Sequence, residues 1–286
     1  MSLDVGMNAG VAPPRPRSGP ARPRRRWIWV LVALATAAIV VPPVAVRFWL
    51  KAEKQQQADP LAVYRGQFTA VQIQAPSGSI TVSPGRAGQV SVASTLQWVF
   101  SKPAIRVARI GRTLQISARC PQLNPFEDCQ ASLGISVPAS LDVHADVGAG
   151  SADLIGLTGR LHVTATSGTI TMTDVSGQVW ARATDGNIAA PAGLSSPSVD
   201  AAVAAGSIML DFDSPPARLT MRVGTGAAHA TVPAGTHYRV SLARAAGSAT
   251  HIAPGLNVAR AVRVISGTVG GAGTLSVGYP PGAGQP

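Results

Sequence analysis

A chain of 286 residues, 46% hydrophobic but only 5% aromatic, can bury a substantial core. The wealth of Ala, Val, Gly and Thr points to many thin strands rather than a helical bundle. The formal charge of +11 would suit nucleic acid, but nine of the 24 Lys and Arg lie in residues 1–60 and the other fifteen are dispersed over residues 61–286. The one cluster (Arg15, Arg17, Arg22, Arg24, Arg25 and Arg26) directly precedes an apolar run, so the sequence argues against a nucleic-acid partner.

Residues 1–26 are rich in Pro, Gly and Arg and lack periodic apolar positions, the composition of a disordered tail. From Trp27 the run WIWVLVALATAAIVVPPVAV reaches Val46 without a charge. About 20 apolar residues at a rise of about 1.5 Å match a hydrocarbon core roughly 30 Å thick. Trp27 and Trp29 at one end, and Phe48 and Trp49 at the other, suit the two interfaces, and the preceding arginines predict a cytoplasmic N-terminus. The sequence therefore predicts a transmembrane helix over 27–49, with the bilayer as its partner, in a single-pass protein of the cell membrane. A cleaved signal peptide is the competing reading. The run exceeds the usual core of about 7–15 residues, and Val44-Ala45-Val46 is a poor cleavage site followed by bulky Phe48 and Trp49. Either way, the chain past residue 50 is expected on the outer side. Residues 50–60 read as a polar linker and 281–286 as a disordered end.

The domain expected over 61–280 opens with less regular strand candidates: FTAVQIQAPSGSITVS, QVSVASTLQW, AIRVARIGRTLQISA and LGISVPASLDVHADV. These pair with, or cap, one end of the regular repeat. Cys120 and Cys129 bracket CPQLNPFEDC, and export favours a disulfide between them. Closing so short a loop stabilises by roughly 2.5–3 kcal/mol in the chain-entropy model. The alternative, a metal site, lacks the second Cys pair or nearby His needed for four ligands.

A turn glycine then recurs at Gly150, Gly168, Gly186, Gly206, Gly226, Gly247 and Gly267, every 18 to 21 residues, with an earlier copy at PSGSITV. Aligning the copies exposes apolar columns. Val147, Ala165, Ala183, Val203, Val223 and Val264 stand three residues before the glycine; Ala145, Val163, Ala181, Ala201, Met221 and Val262 stand five before; Ala152, Ile170, Ile188, Ile208, Ala228 and Val269 stand two after. Alternation on both sides of a glycine means strand, turn, strand, with one face of each buried. Two architectures satisfy this all-β pattern. One is a β-solenoid-like stack of 18–21-residue coils; the other is an antiparallel β-sandwich in which each SG or DG is a hairpin turn and Ala165 faces Ile170. The stack is preferred, because hairpins give no reason for columns to stay aligned across successive copies.

These repeats, preceded by a strand ending in Val137-Pro138-Ala139 and by a Cys pair, resemble the bacterial "putative adhesin" β-strand-repeat family of membrane-anchored actinobacterial proteins. The likeness spans roughly residues 65–280. It implies a repeat fold and a surface role, and brings no catalytic or binding residues with it.

Chemistry is sparse. The chain has no G-x-S-x-G elbow, and GAG and GTG are followed by no helix that would hold a phosphate. TDGN does not supply the GGxGxD calcium motif. No cofactor is implied. The one suggestive column lies six residues before the glycine, where His144, His162, Trp180 and Asp200 would line an outward stripe beside Arg182. Such a stripe could bind a sugar ring, with Trp180 as stacking face and the polar groups as hydrogen-bonding partners. Its plain reading is a solvated sheet face with polar ladders. The sequence thus predicts a non-enzymatic binding or structural module of the cell envelope, adhesion included, with wall polymer or an envelope protein as partner. The alternative is an envelope-stress sensing or signalling accessory. A wall-polymer enzyme has no support in the residues.

Overall fold

The computed structural model describes residues 30–32, 34–36, 55–99, 101–120 and 129–281. Residues 1–52 and 53–286 form separate compact units. In the first, residues 30–32 and 34–36 are helical; the rest of the span expected at 27–49 and the tail at 1–26 lie outside the described residues. Among the described residues no helix is long and apolar enough to cross a membrane. Residues 282–286 likewise lie outside them.

The second unit is all-β, one large mixed sheet. Its strands are β1(Gln55–Arg65), β2(Ala70–Pro84), β3(Gln89–Trp98), β4(Ala104–Ile110), β5(Thr113–Arg119), β6(Cys129–Val137), β7(Asp142–Ile155) and β8(Leu161–Thr173). There follow β9(Val179–Leu194), β10(Ser198–Phe212), β11(Arg218–Thr231), β12(Arg239–Arg244), β13(Ala249–Ile252), β14(Val264–Val269) and β15(Thr274–Gly278). Strand β1 begins inside the stretch expected to be linker, pairing Gln55 with Trp98.

Strands β2, β7, β8, β9, β10 and β11 pair in parallel, each with the next, and Gly78, Gly150, Gly168, Gly186, Gly206 and Gly226 stand side by side. Ala165 pairs with Val147 and Ala183, so the hairpin partner Ile170 is not its neighbour. Within β8, burial falls on Leu161, Val163 and Ala165 before the glycine and on Ile170 and Met172 after it. That change of parity, with φ of 144° at Gly168, marks a corner that turns both arms toward one core. Glycine is needed there for a second reason. A Cβ on Gly168 would stand 1.8 Å from the carbonyl oxygen of Gly150, and one on Gly177 1.7 Å from that of Gly159. The chain therefore approaches its neighbour closely at two corners, which accounts for a nine-residue glycine spacing through this stretch.

The aligned columns are the core: Val147, Ala165, Ala183, Val203 and Val223 are buried, as are Ala152, Ile170, Ile188, Ile208 and Ala228. The last copies depart from the expected alignment. Gly267 pairs with Met221 rather than Gly226, Val269 pairs with Val223, and Val264 pairs with Arg218. Val262, expected in the core, is 95% exposed. The cause is a crossover: β14 and β15 pair with β11, and β12 and β13 pair only with them, so the strands later in sequence sit between β11 and the earlier ones.

At the other end, antiparallel strands close the sheet. The N-terminal half of β2 pairs with β5 of the β4–β5 hairpin, and its C-terminal half pairs with β6, which continues antiparallel through β3 to β1. The disulfide Cys120–Cys129, with Cα atoms 5.9 Å apart, ties the end of β5 to the start of β6. It thereby joins the two elements that share one edge of β2.

Candidate functional site

In-register stacking places the expected stripe residues on four adjacent strands: His144 on β7 beside His162 on β8, beside Trp180 on β9, beside Asp200 on β10. Their side chains alternate with buried neighbours and so point outward from the sheet. The imidazoles of His144 and His162 stack with centroids 5.5 Å apart, and His162 lies over the Trp180 ring at 3.8 Å with 17° between planes. From the opposite side, where β10 lies, the Arg182 guanidinium covers the indole at 4.3 Å. Arg182 also donates to the Asp200 carbonyl at 2.9 Å and pairs with the Asp200 carboxylate at 3.0 Å. Arg222, on β11, reaches the other oxygen of that carboxylate at 2.8 Å. The result is a continuous row: imidazole, imidazole, indole, guanidinium, carboxylate, guanidinium.

All five expected residues are therefore brought together, but Trp180 does not offer an open stacking face. Both faces of its ring are occupied, and it presents an edge. The environment of His162 follows from the same geometry: burial, the adjacent His144 and the Arg182 cation lower its pKa, while Asp146 opposes them. Beside the row runs an open groove of about 330 Å³, lined by Asp142, Arg160, Gln178 and Ser198 as well as by the ring edges. Asp142, Gln178 and Ser198 did not enter the sequence reading of the site, although with Arg160 they form their own column eight residues before successive glycines. The stripe also extends further than expected, to Gln72 on β2 and Gln115 on β5, whose amides bond at 2.9 Å. Among the described residues, no three His, Cys, Asp or Glu side chains converge in a way that could hold a metal ion.

No family model matches this chain. No curated protein matches it in sequence either. Solved structures with a similar course of chain include a "putative adhesin" from Parabacteroides distasonis, 10% identical, covering 79% of this chain and 98% of its own, with a TM-score of 0.42. A "putative adhesin" from Bacteroides fragilis is 15% identical over 77% of this chain and 97% of its own, with a TM-score of 0.36. A "putative lipid binding protein" from Parabacteroides distasonis is 11% identical over 78% and 96%, with a TM-score of 0.29. Likeness at this level carries no argument about what the chain does.

Proposed function

We propose that this chain is a single-pass membrane protein whose domain, a β-solenoid of stacked coils, stands on the outer side as a non-enzymatic binding or structural module of the cell envelope. The sequence supports the anchor through the uncharged run after six arginines, and the repeat resembles the "putative adhesin" family. The observation that carries the binding role is the outer row. Its groups partner one another, ring on ring and Asp200 between two arginines, which suits a preformed surface better than a reacting centre. In place of a stacking platform, the groove offers a line of hydrogen-bonding edges at strand spacing. A linear polymer of the wall, lying across the strands, fits that pattern of repeated polar contacts.

Immobilised residues 53–286, the compact unit that holds the core, test this against solubilised envelope fractions with both polysaccharide and protein read in the eluate. The proposal expects wall polymer to be retained, and retention to fall in Trp180→Ala, which removes the centre of the row. An eluate free of polysaccharide from the unaltered domain would contradict it. Shortening of the polymer on incubation would replace the module with an enzyme.

A further inference from the structure

The sequence is markedly asymmetric in charge along the repeat. From Ser214 to Pro286 it contains six arginines (Arg218, Arg222, Arg239, Arg244, Arg260 and Arg263) and neither Asp nor Glu. The strand order concentrates part of this charge on the outer face. Arg218 on β11 and Arg239 on β12 both pair with Val264 on β14, so they occupy one outward column on either side of a small apolar residue. At about 4.7–4.9 Å per strand they stand about 9.5 Å apart. Arg263 immediately precedes Val264, and its carbonyl accepts the Arg239 amide at 2.9 Å, so its backbone borders the same corner, where its cation also acts on the Tyr238 hydroxyl. The next outward column is a ladder of hydroxyls, Thr220, Ser266 and Ser241, with Thr220 and Ser266 oxygens 3.1 Å apart. Arg218, Arg239 and Arg263 are exposed. Among the described residues none of the three forms an ion pair, whereas Arg222 is already engaged by Asp200.

Unpaired guanidiniums beside hydroxyls, with the neighbouring carboxylate of Asp200 already held by Arg182 and Arg222, form a surface that selects negative charge. Guanidinium forks match phosphate and carboxylate geometry alike. We propose that this end of the outer face is a binding site for a polyanion carrying repeated phosphate or carboxylate groups, held by Arg218, Arg239 and Arg263 with the Ser241 hydroxyl as a supporting donor. The site continues the same outer face, since Arg218 pairs with Ser198 of the groove and Thr220 with Asp200 of the row, but its charged groups are its own and the variants below tell the two apart. Its ligand is distinguished from a neutral glycan by response to salt, because contacts between exposed charges are screened within about 10 Å at 0.1 M ionic strength.

The test measures binding of residues 53–286 to two defined probes, inorganic polyphosphate and polygalacturonate, at low and at physiological salt. The triple variant Arg218→Gln/Arg239→Gln/Arg263→Gln is compared with Arg86→Gln, on an exposed loop elsewhere, and with the triple Arg→Lys variant. Thermal melts confirm that each variant is folded. The proposal expects at least one probe to bind, weakening as salt rises, and a loss of about tenfold in the Gln triple. It also expects little change in Arg86→Gln and partial retention in the Lys triple. Binding of polyphosphate alone assigns phosphate; binding of polygalacturonate alone assigns carboxylate. Failure to bind either probe, or a Gln triple that binds like the unaltered domain, would overturn the site. Loss in Trp180→Ala with no loss in the Gln triple would place binding in the groove and leave the arginine corner without a ligand.

Discussion

Gly168 shows how little room the paired strands leave at their corner. Its φ of 144° already disfavours a side chain, and an added Cβ would stand 1.8 Å from the Gly150 carbonyl oxygen, which belongs to backbone and cannot swing away. Gly235 offers the contrast: φ of 74° with no atom within 4 Å of an added Cβ. Gly235→Ala should therefore cost about 1–2 kcal/mol, the ordinary penalty of the left-handed region. Gly168→Ala should cost about 3 kcal/mol or more, because strain and overlap combine. Denaturant midpoints of the two variants decide this, and equal losses would mean that β8 and β7 are not in close contact at Gly168. The recurrence of these glycines was plain in the sequence, as was the column of His144, His162, Trp180 and Asp200. What could not be read there was the reach of Arg182. It lies two residues beyond Trp180 on the same face, yet its side chain turns across to β10 and closes the ring face that sequence reasoning left open.

At the scale of elements, alternation and glycine period gave the strands from Asp142 to Thr231 and their mutual alignment, because each pairs with the next in sequence. The period misleads where that order breaks. ISGTVGG looks like one more copy, and a spacing near twenty fits it as well as any other. Yet β14 and β15 enter between β11 and the earlier β12 and β13, a long-range choice that no local pattern encodes. The same crossover makes a prediction. In a stack built in chain order, truncation after Arg260 would remove only the last coil. Here β12 and β13 pair only with β14 and β15, so the truncation should free residues 239–252 as well. Limited proteolysis with mass spectrometry should find new cleavage between Arg239 and Ile252 while the strands up to Thr231 stay protected. An uncut 239–252 segment would mean that β12 and β13 hold to β11 without their partners.

The whole domain is finished differently at its two ends. Strands β5 and β6, both parallel to β2 and joined by the Cys120–Cys129 disulfide, cover an edge of β2 that would otherwise pair with other chains, and antiparallel strands continue the sheet beyond them. At the other end β12 and β13 are the outermost strands, in a region with arginines and no carboxylates. Between them, the strands carry polar columns across one outer face, from Gln115 through Trp180 to Ser241. The proposed function requires that this face, rather than a loop or an edge, meets the envelope. Hydroxyl-radical footprinting of residues 53–286, with and without soluble wall fragments released by a muramidase, reads that contact residue by residue. Protection of Trp180, His162 and His144 is expected, with Trp98 and Tyr279, away from this row, unchanged. Protection confined to Trp98 or Tyr279, or no protection at saturating fragment, would rule the outer face out as the binding surface.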